Sequence, residues 1–339
     1  WLPFYVLAGF YKILGVTTFV SRLPFVLFGF GTVLMVYYFC RSLWPGTRVS
    51  LLAAGLLAVS VPFLILSRQC RYYSMAMFFC VLALYAYVAM SNRKRYSALM
   101  LFVASTLLFH TQHFYIVPLF AAILLHALIF GRHLLKILLV VTVAVMLVNG
   151  PWLIWLAGMQ YQSKTMNMAE LVDCVRTFST DIFRFIFPLW LSGVLLIVII
   201  VTWVKARHLP IQGRSFWSSL SLPVFFVVFN IVSLSVMAHV PYFRYIAPSI
   251  PLLIILIAVI VYAAGRVHLL LAVLTVVLLF TTSGIEDYYY EITHDYDGPC
   301  EGIARYLNEH GNPDDIVAIT YGDMVLKFYT KMRIVGGLT

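Results

Sequence analysis

The sequence predicts an all-α multi-pass transmembrane bundle of about ten spans, followed by the start of a small extracytoplasmic α/β domain. Three observations carry this expectation. The 339 residues are 63% hydrophobic and only 11% charged, whereas a soluble globular domain is about 25% charged. No Asp or Glu precedes Glu170, and ten of the 13 acidic residues lie after position 285. Apolar runs recur along the chain at lengths close to the ~20 residues that cross ~30 Å of hydrocarbon.

Residues 1–15 are short and aromatic, carry Lys12, and read as an interfacial helix. Apolar runs follow at 22–39, 49–66, 72–90, 97–112, 114–130, 137–157, 182–203, 217–238, 246–264 and 268–284. They lack the strict alternation of membrane β-strands, and helices satisfy every backbone group within one segment in lipid. The linking loops sort alternately into two sets. One holds Arg41, Arg48, Arg93, Lys94, Arg95, Arg132, Lys136, Lys205, Arg207, Arg214 and Arg266 and no acid. The positive-inside rule makes it cytoplasmic. The other set contains Lys12, Arg22, Arg68, Arg71, Lys164, Arg176, Arg184 and Arg244, with Glu170, Asp173 and Asp181, and leads to the acidic tail. The net charge of +10 is scattered in short clusters. Nucleic acid is not an expected partner, because that would need one continuous basic face.

The expected division is a transmembrane domain over 1–284 and an incomplete extracytoplasmic α/β tail over 285–339. In the tail, Ile303, Tyr306, Leu307 and His310 share a helical face, with Gly311 suited to the C′ position. Asn312-Pro313-Asp314-Asp315 is turn chemistry, and Ile316-Val317-Ala318-Ile319-Thr320 reads as a strand. The chain opens at Trp1 and stops at Thr339 beside strand-like sequence, so a piece of a longer protein is expected.

Three polar islands fall on the predicted outer face. Ser67-Arg68-Gln69-Cys70-Arg71-Tyr72-Tyr73 links two apolar runs. It reads either as an ordinary loop whose arginines snorkel or as an anion site, because a guanidinium fork matches phosphate oxygens. Phe109-His110-Thr111-Gln112-His113-Phe114-Tyr115 places His110 and His113 three residues apart. Loop polarity, substrate hydrogen bonding and a metal pair are the readings open to it, and no local carboxylate favours the last. Arg244 and Tyr245, within Pro241-Tyr242-Phe243-Arg244-Tyr245, repeat the Arg-Tyr theme at the mouth of a span. The candidate substrate-binding set is therefore Arg68, Arg71, Tyr72, Tyr73, His110, His113, Tyr115, Arg244 and Tyr245, with no metal site assigned. The five cysteines form no CxxC pair, and no P-loop, GxSxG, HExxH or GxGxxG motif occurs.

Leu2-Pro3-Phe4-Tyr5, then Ser21-Arg22-Leu23-Pro24-Phe25, then Arg68-Gln69-Cys70-Arg71-Tyr72-Tyr73, then Arg244-Tyr245-Ile246-Ala247-Pro248 stand in a characteristic order. In that order they resemble the bacterial dolichyl-phosphate-mannose-protein mannosyltransferase-like glycosyltransferases of the GT-C fold. The resemblance covers nearly the whole chain. It implies an inverting membrane transferase that moves a sugar from a polyprenyl-phosphate donor to a lipid, glycan or protein acceptor outside the cytoplasm of a bacterium. It implies that Arg68 and Arg71 face the carrier phosphate or the cavity, and that Arg22 belongs to an early structural or catalytic motif. The family's catalytic carboxylate lies before the Leu-Pro-Phe-Tyr-like motif, so it is expected upstream of Trp1. No cofactor is required, although some relatives use a divalent metal. The rival reading is a polytopic transporter or flippase for a lipid-linked or anionic substrate, which would favour ionisable groups inside the spans.

Overall fold

The computed structural model describes residues 1–158, 167–204, 214–237, 241–282, 299–320 and 323–336. Their contacts divide into two units, Trp1–Ser283 and Gly284–Thr339.

The first unit is helical. α1 (Leu2–Leu14) is short, with Pro3 in its first turn, where a missing N–H costs nothing. α2 (Thr18–Leu43) starts at Thr17, whose hydroxyl accepts the Val20 N–H at 3.1 Å. α3 (Val49–Ala58) and α4 (Val61–Arg68) together cover one apolar run but meet at 59°. The cause is Pro62, which cannot donate an i→i−4 bond and sits instead in the first turn of a new helix. α5 (Tyr73–Ser91), α6 (Ser97–Thr111), α7 (Ile116–Phe130) and α8 (Leu135–Gly158) follow. α9 (Met168–Phe185) and α10 (Trp190–Val204) meet at 72° beside Pro188. α11 (Arg214–Met237), α12 (Ile250–Val267) and α13 (Leu269–Thr282) complete the unit.

Each of the ten apolar runs is thus helical, but they are not ten uniform spans. Among the described residues, six helices are long and apolar enough to cross a membrane, or up to eight if each bent pair is one span. The runs at 97–112 and 268–284 form the shorter apolar helices Ser97–Thr111 and Leu269–Phe280. α9 differs in kind: Cys174, Phe178 and Ile182 bury one stripe while Glu170 and Asp173 share the helix, the pattern of a helix lying along an interface.

Burial sorts the helices into layers. The span windows of α5 and α12 are 78% and 89% buried, against 22% for α8. α5 and α12 are therefore the inner helices, and the others turn apolar faces outward, as lipid requires. Gly29 lets α2 approach α4 closely, since a Cβ there would stand 2.8 Å from the Ser67 Cβ. Phe28 meets Phe78 and Phe79 at 5.4 and 5.6 Å, tying α2 to α5.

Described links from the two sets gather at different ends of the bundle, while Lys164, Lys205 and Arg207 lie outside the described residues. At one end Asn92 donates to Ser42 at 3.3 Å, and Ser219 donates to the Leu43 carbonyl at 3.2 Å. Close by, His126 links Tyr87 (2.8 Å to Nδ1) to the Ser218 carbonyl (2.8 Å from Nε2). The links 68–72, 110–115 and 241–249 gather at the other end.

The second unit contains α14 (Pro299–His310), β1 (Ile316–Ala318), α15 (Asp323–Tyr329) and β2 (Arg333–Val335). β1 and β2 pair in parallel, Ile316 with Arg333 and Ala318 with Val335. Its small core is Ala304, Leu326, Met332 and Ile334. Of the helical face read from Ile303, Tyr306, Leu307 and His310, Leu307 packs against this core beside Ala304. Ile303, Tyr306 and His310 are exposed, and Tyr306 stacks on His310 at 4.5 Å.

Candidate functional site

Three segments distant in sequence meet at the end of the bundle opposite the Arg93-Lys94-Arg95 turn. Tyr115 closes the 3-10 turn His113–Tyr115 and is buried. Its hydroxyl donates to the Tyr245 carbonyl at 2.9 Å, joining positions 130 residues apart. Tyr115 and Tyr72 also share a side-chain hydrogen bond. Tyr72 packs on Tyr73 with ring centres 4.5 Å apart. The tyrosines thus lace the α4–α5 link, the α6–α7 link and the entry to α12 into one wall.

Arg244 stands on the 3-10 segment Phe243–Ser249 ahead of α12. Its guanidinium lies 4.4 Å from the Tyr242 ring centre and 5.8 Å from that of Tyr245. This stacking orients the planar fork and leaves its N–H edge for a ligand. The segment is pinned from below by the buried bond from Asn230 of α11 to Ser249, at 2.9 Å. It is flanked by Phe185 at the end of α9, 5.1 Å from Phe243. Burial, with Tyr73 and Tyr245 nearby, pushes the Tyr72 phenol above its ordinary range, while its bond with Tyr115 and the charge of Arg244 pull the other way. Tyr72 therefore stays a neutral hydroxyl within the field of Arg244.

A second cationic group sits on the adjoining link. Burial raises the Cys70 thiol, opposed by the charges of Arg22 and Arg71. Both charges act on Cys70, so Arg22 of the early Arg-Leu-Pro motif lies within electrostatic range of the Arg-Tyr-Tyr motif. A tight turn, with the Arg71 N–H donating to the Gln69 carbonyl at 2.7 Å, holds this link. Arg68 closes α4 and is half-buried.

His110 and His113 have different company. His110 meets Trp152 edge-on at 5.8 Å and Phe109 at 5.4 Å, and His113 packs on Phe114 at 4.3 Å. Trp152 lies 5.9 Å from Trp155. His110 thus sits in an aromatic belt between α6 and α8, and His113 packs on aromatic residues of its own link. Among the described residues, no three His, Cys, Asp or Glu side chains gather as a metal group would require.

Of the sequence-derived set, the structure brings Tyr72, Tyr73, Tyr115, Arg244 and Tyr245 together. It places Arg71 and Arg22 within electrostatic range of Cys70. Three contributors were not in that set: Tyr242, which stacks on Arg244, and the buried pair Asn230 and Ser249. The i, i+3 spacing of Tyr242 and Tyr245 around Arg244 was the available signal for the first. Nothing local marks the other two.

The fold defines a class, a multi-pass helical membrane protein of GT-C-like architecture. Residues 1–155 match the family model described as dolichyl-phosphate-mannose-protein mannosyltransferase. Among solved structures, the chain is similar to the crystal structure of ArnT from Cupriavidus metallidurans bound to undecaprenyl phosphate. The identity is 14%, the TM-score 0.62, and the match covers 98% of this chain and 74% of that one. No curated protein sequence matches. Over residues 1–155 the chain is thus similar to the dolichyl-phosphate-mannose-protein mannosyltransferase family, and over nearly its whole length it shares the fold of the ArnT structure.

Proposed function

We propose that this protein is a membrane glycosyltransferase that moves a sugar from a polyprenyl-phosphate carrier to an acceptor on the extracytoplasmic side of a bacterial inner membrane. The observation that carries the reading is the convergence of Arg244, stacked and pinned, with the Tyr72–Tyr115–Tyr245 wall at one end of the bundle. Its neighbour is the Arg22, Cys70 and Arg71 group. The match to the mannosyltransferase family, and the ArnT structure that holds undecaprenyl phosphate, support it.

The chemistry follows from placement. A carrier phosphate rides at headgroup depth, level with loops at the span ends. As the glycosidic bond breaks, negative charge grows on the leaving phosphate. Arginines fixed before the reaction stabilise that charge without reorganising. The tyrosine hydroxyls offer donors and acceptors to the sugar, and their rings offer a stacking face. The acceptor hydroxyl or amine needs a general base. Glu170 and Asp173 stand on α9, and neither is assigned that role. The acceptor belongs to one of three kinds, lipid, glycan or protein.

A transporter reading would draw on the two bent helix pairs. The cations described above lie at helix ends instead, which favours the enzyme. The test is transfer of a labelled sugar from a polyprenyl-phosphate donor by the full-length protein. Arg68→Ala/Arg71→Ala is expected to reduce transfer about a hundredfold or more, the scale for losing fixed electrostatic stabilisation. An unchanged rate would remove both residues from the donor site.

A further inference from the structure

The end of the bundle opposite the candidate site carries a second basic recess. A pocket of about 350 Å³ lies between the α5–α6 turn and the start of α8. Its polar lining is Arg93, Lys94, Tyr96, Ser97 and His133, and Leu134 and Ile137 are among its apolar lining. We propose that it holds the phosphate headgroup of an anionic phospholipid. This ligand and site are distinct from the donor-carrier site proposed above.

The turn is built to present cations. Arg93 and Tyr96 both adopt left-handed backbone, with φ of 54° and 63°, a conformation that costs about 1–3 kcal/mol at non-glycine residues. It persists because the turn is tied down. The Lys94 N–H donates to the Ala89 carbonyl at 2.9 Å, and the Ser97 hydroxyl donates to the Lys94 carbonyl at 2.7 Å. The Lys94 ammonium is held 3.5 Å from the Tyr85 hydroxyl. No carboxylate lines the pocket among the described residues. Glu170, Asp173 and Asp181 are on α9, which packs against α11 and the 3-10 segment Phe243–Ser249 at the other end.

The apolar surroundings point to a lipid rather than a free anion. α6 and α8 pack side by side. Below the pocket, Leu99 and Val103 of α6 and Ile137, Leu139 and Val140 of α8 are all exposed. A headgroup phosphate in the pocket would leave its acyl chains along this apolar face. Basic pockets between helix ends are a recurrent geometry for anionic lipid headgroups.

The test uses purified full-length protein in nanodiscs of phosphatidylcholine, with or without phosphatidylglycerol, and reads lipid retained after detergent extraction by native mass spectrometry. Phosphatidylglycerol is expected to be retained over phosphatidylcholine. Arg93→Gly/Lys94→Gln is expected to bind it about thirtyfold more weakly, two charges at about 1 kcal/mol each. Glycine at 93 accepts the left-handed turn without strain, so the change reports lost charge. Arg41→Gln/Arg48→Gln, at the same end but outside the pocket, is expected to bind as the wild type does. Equal retention of the two lipids, or equal loss in both double variants, would overturn the proposal. Displacement of the lipid by millimolar inorganic phosphate would overturn it too, by identifying a free-anion site. The lipid comparison and the phosphate competition use wild-type protein, so they decide the matter even if a variant does not fold.

Discussion

Tyr115→Phe isolates the bond on which the outer-end cluster depends. The ring is 1% exposed and would stay in place, so only the hydroxyl is lost. That hydroxyl donates to the Tyr245 carbonyl at 2.9 Å and shares the bond with Tyr72. Its removal costs a carbonyl and a second hydroxyl this partner in a part-buried setting, at about 1–3 kcal/mol. The strain falls on the segment that carries Arg244. If about half of it is expressed as looser placement of Arg244, affinity for a polyprenyl phosphate falls about two- to tenfold, since 1.4 kcal/mol is a factor of ten. The assay is polyprenyl phosphate binding to the full-length protein in nanodiscs, with a melting curve on the same sample. A lower melting temperature with weaker binding is expected. Wild-type affinity at an unchanged melting temperature would refute the reasoning, because the three segments would then be held together by other contacts.

Other consequences can be read from the same geometry. Arg244→Lys should weaken polyprenyl phosphate binding about tenfold with little change in melting, because an ammonium cannot reproduce a stacked, forked guanidinium; equal affinity would show that charge alone suffices. Gly29→Ala should lower thermal stability by about 1–3 kcal/mol, since its Cβ would meet Ser67 at 2.8 Å. Tyr87→Phe should destabilise by about 1–3 kcal/mol through the orphaned His126 nitrogen, yet leave the donor KM unchanged, because it lies at the opposite end. Cys70 should alkylate slowly at pH 8 and faster as pH rises. Cys70 is exposed at the surface, but partial desolvation holds its thiol above the ordinary range, and only the thiolate reacts. Bound polyprenyl phosphate should protect it, which mass-spectrometric labelling rates would reveal.

The membrane class and its ten helical runs were legible because apolar length is a property of composition, and composition survives without knowledge of packing. The layer order was not legible. α5 and α12 are inner helices, but a chain apolar on every face gives periodicity nothing to separate core from lipid. The breaks at Pro62 and Pro188 were visible as prolines, yet their angles are set by tertiary contacts. In the site, residue type was informative: arginine and tyrosine at span mouths pointed to the cluster that includes Tyr72 and Arg244. Partnership was not, because the Tyr115–Tyr245 bond joins positions 130 residues apart. His110 and His113 looked alike in sequence to the arginine loops. Their neighbours are Trp152 and Phe109, which only the packing of α6 on α8 decides.

The central claim is that a polyprenyl phosphate binds where the α4–α5 link, the α6–α7 link and the entry to α12 converge. A structure of the full-length protein with a polyprenyl-phosphate sugar bound measures this most directly. The account predicts the phosphate within charge-assisted hydrogen-bond distance, about 2.7–2.9 Å, of Arg244 or Arg71, with the sugar against Tyr72. A phosphate held instead at the opposite end, by Arg93 and Lys94, would contradict it.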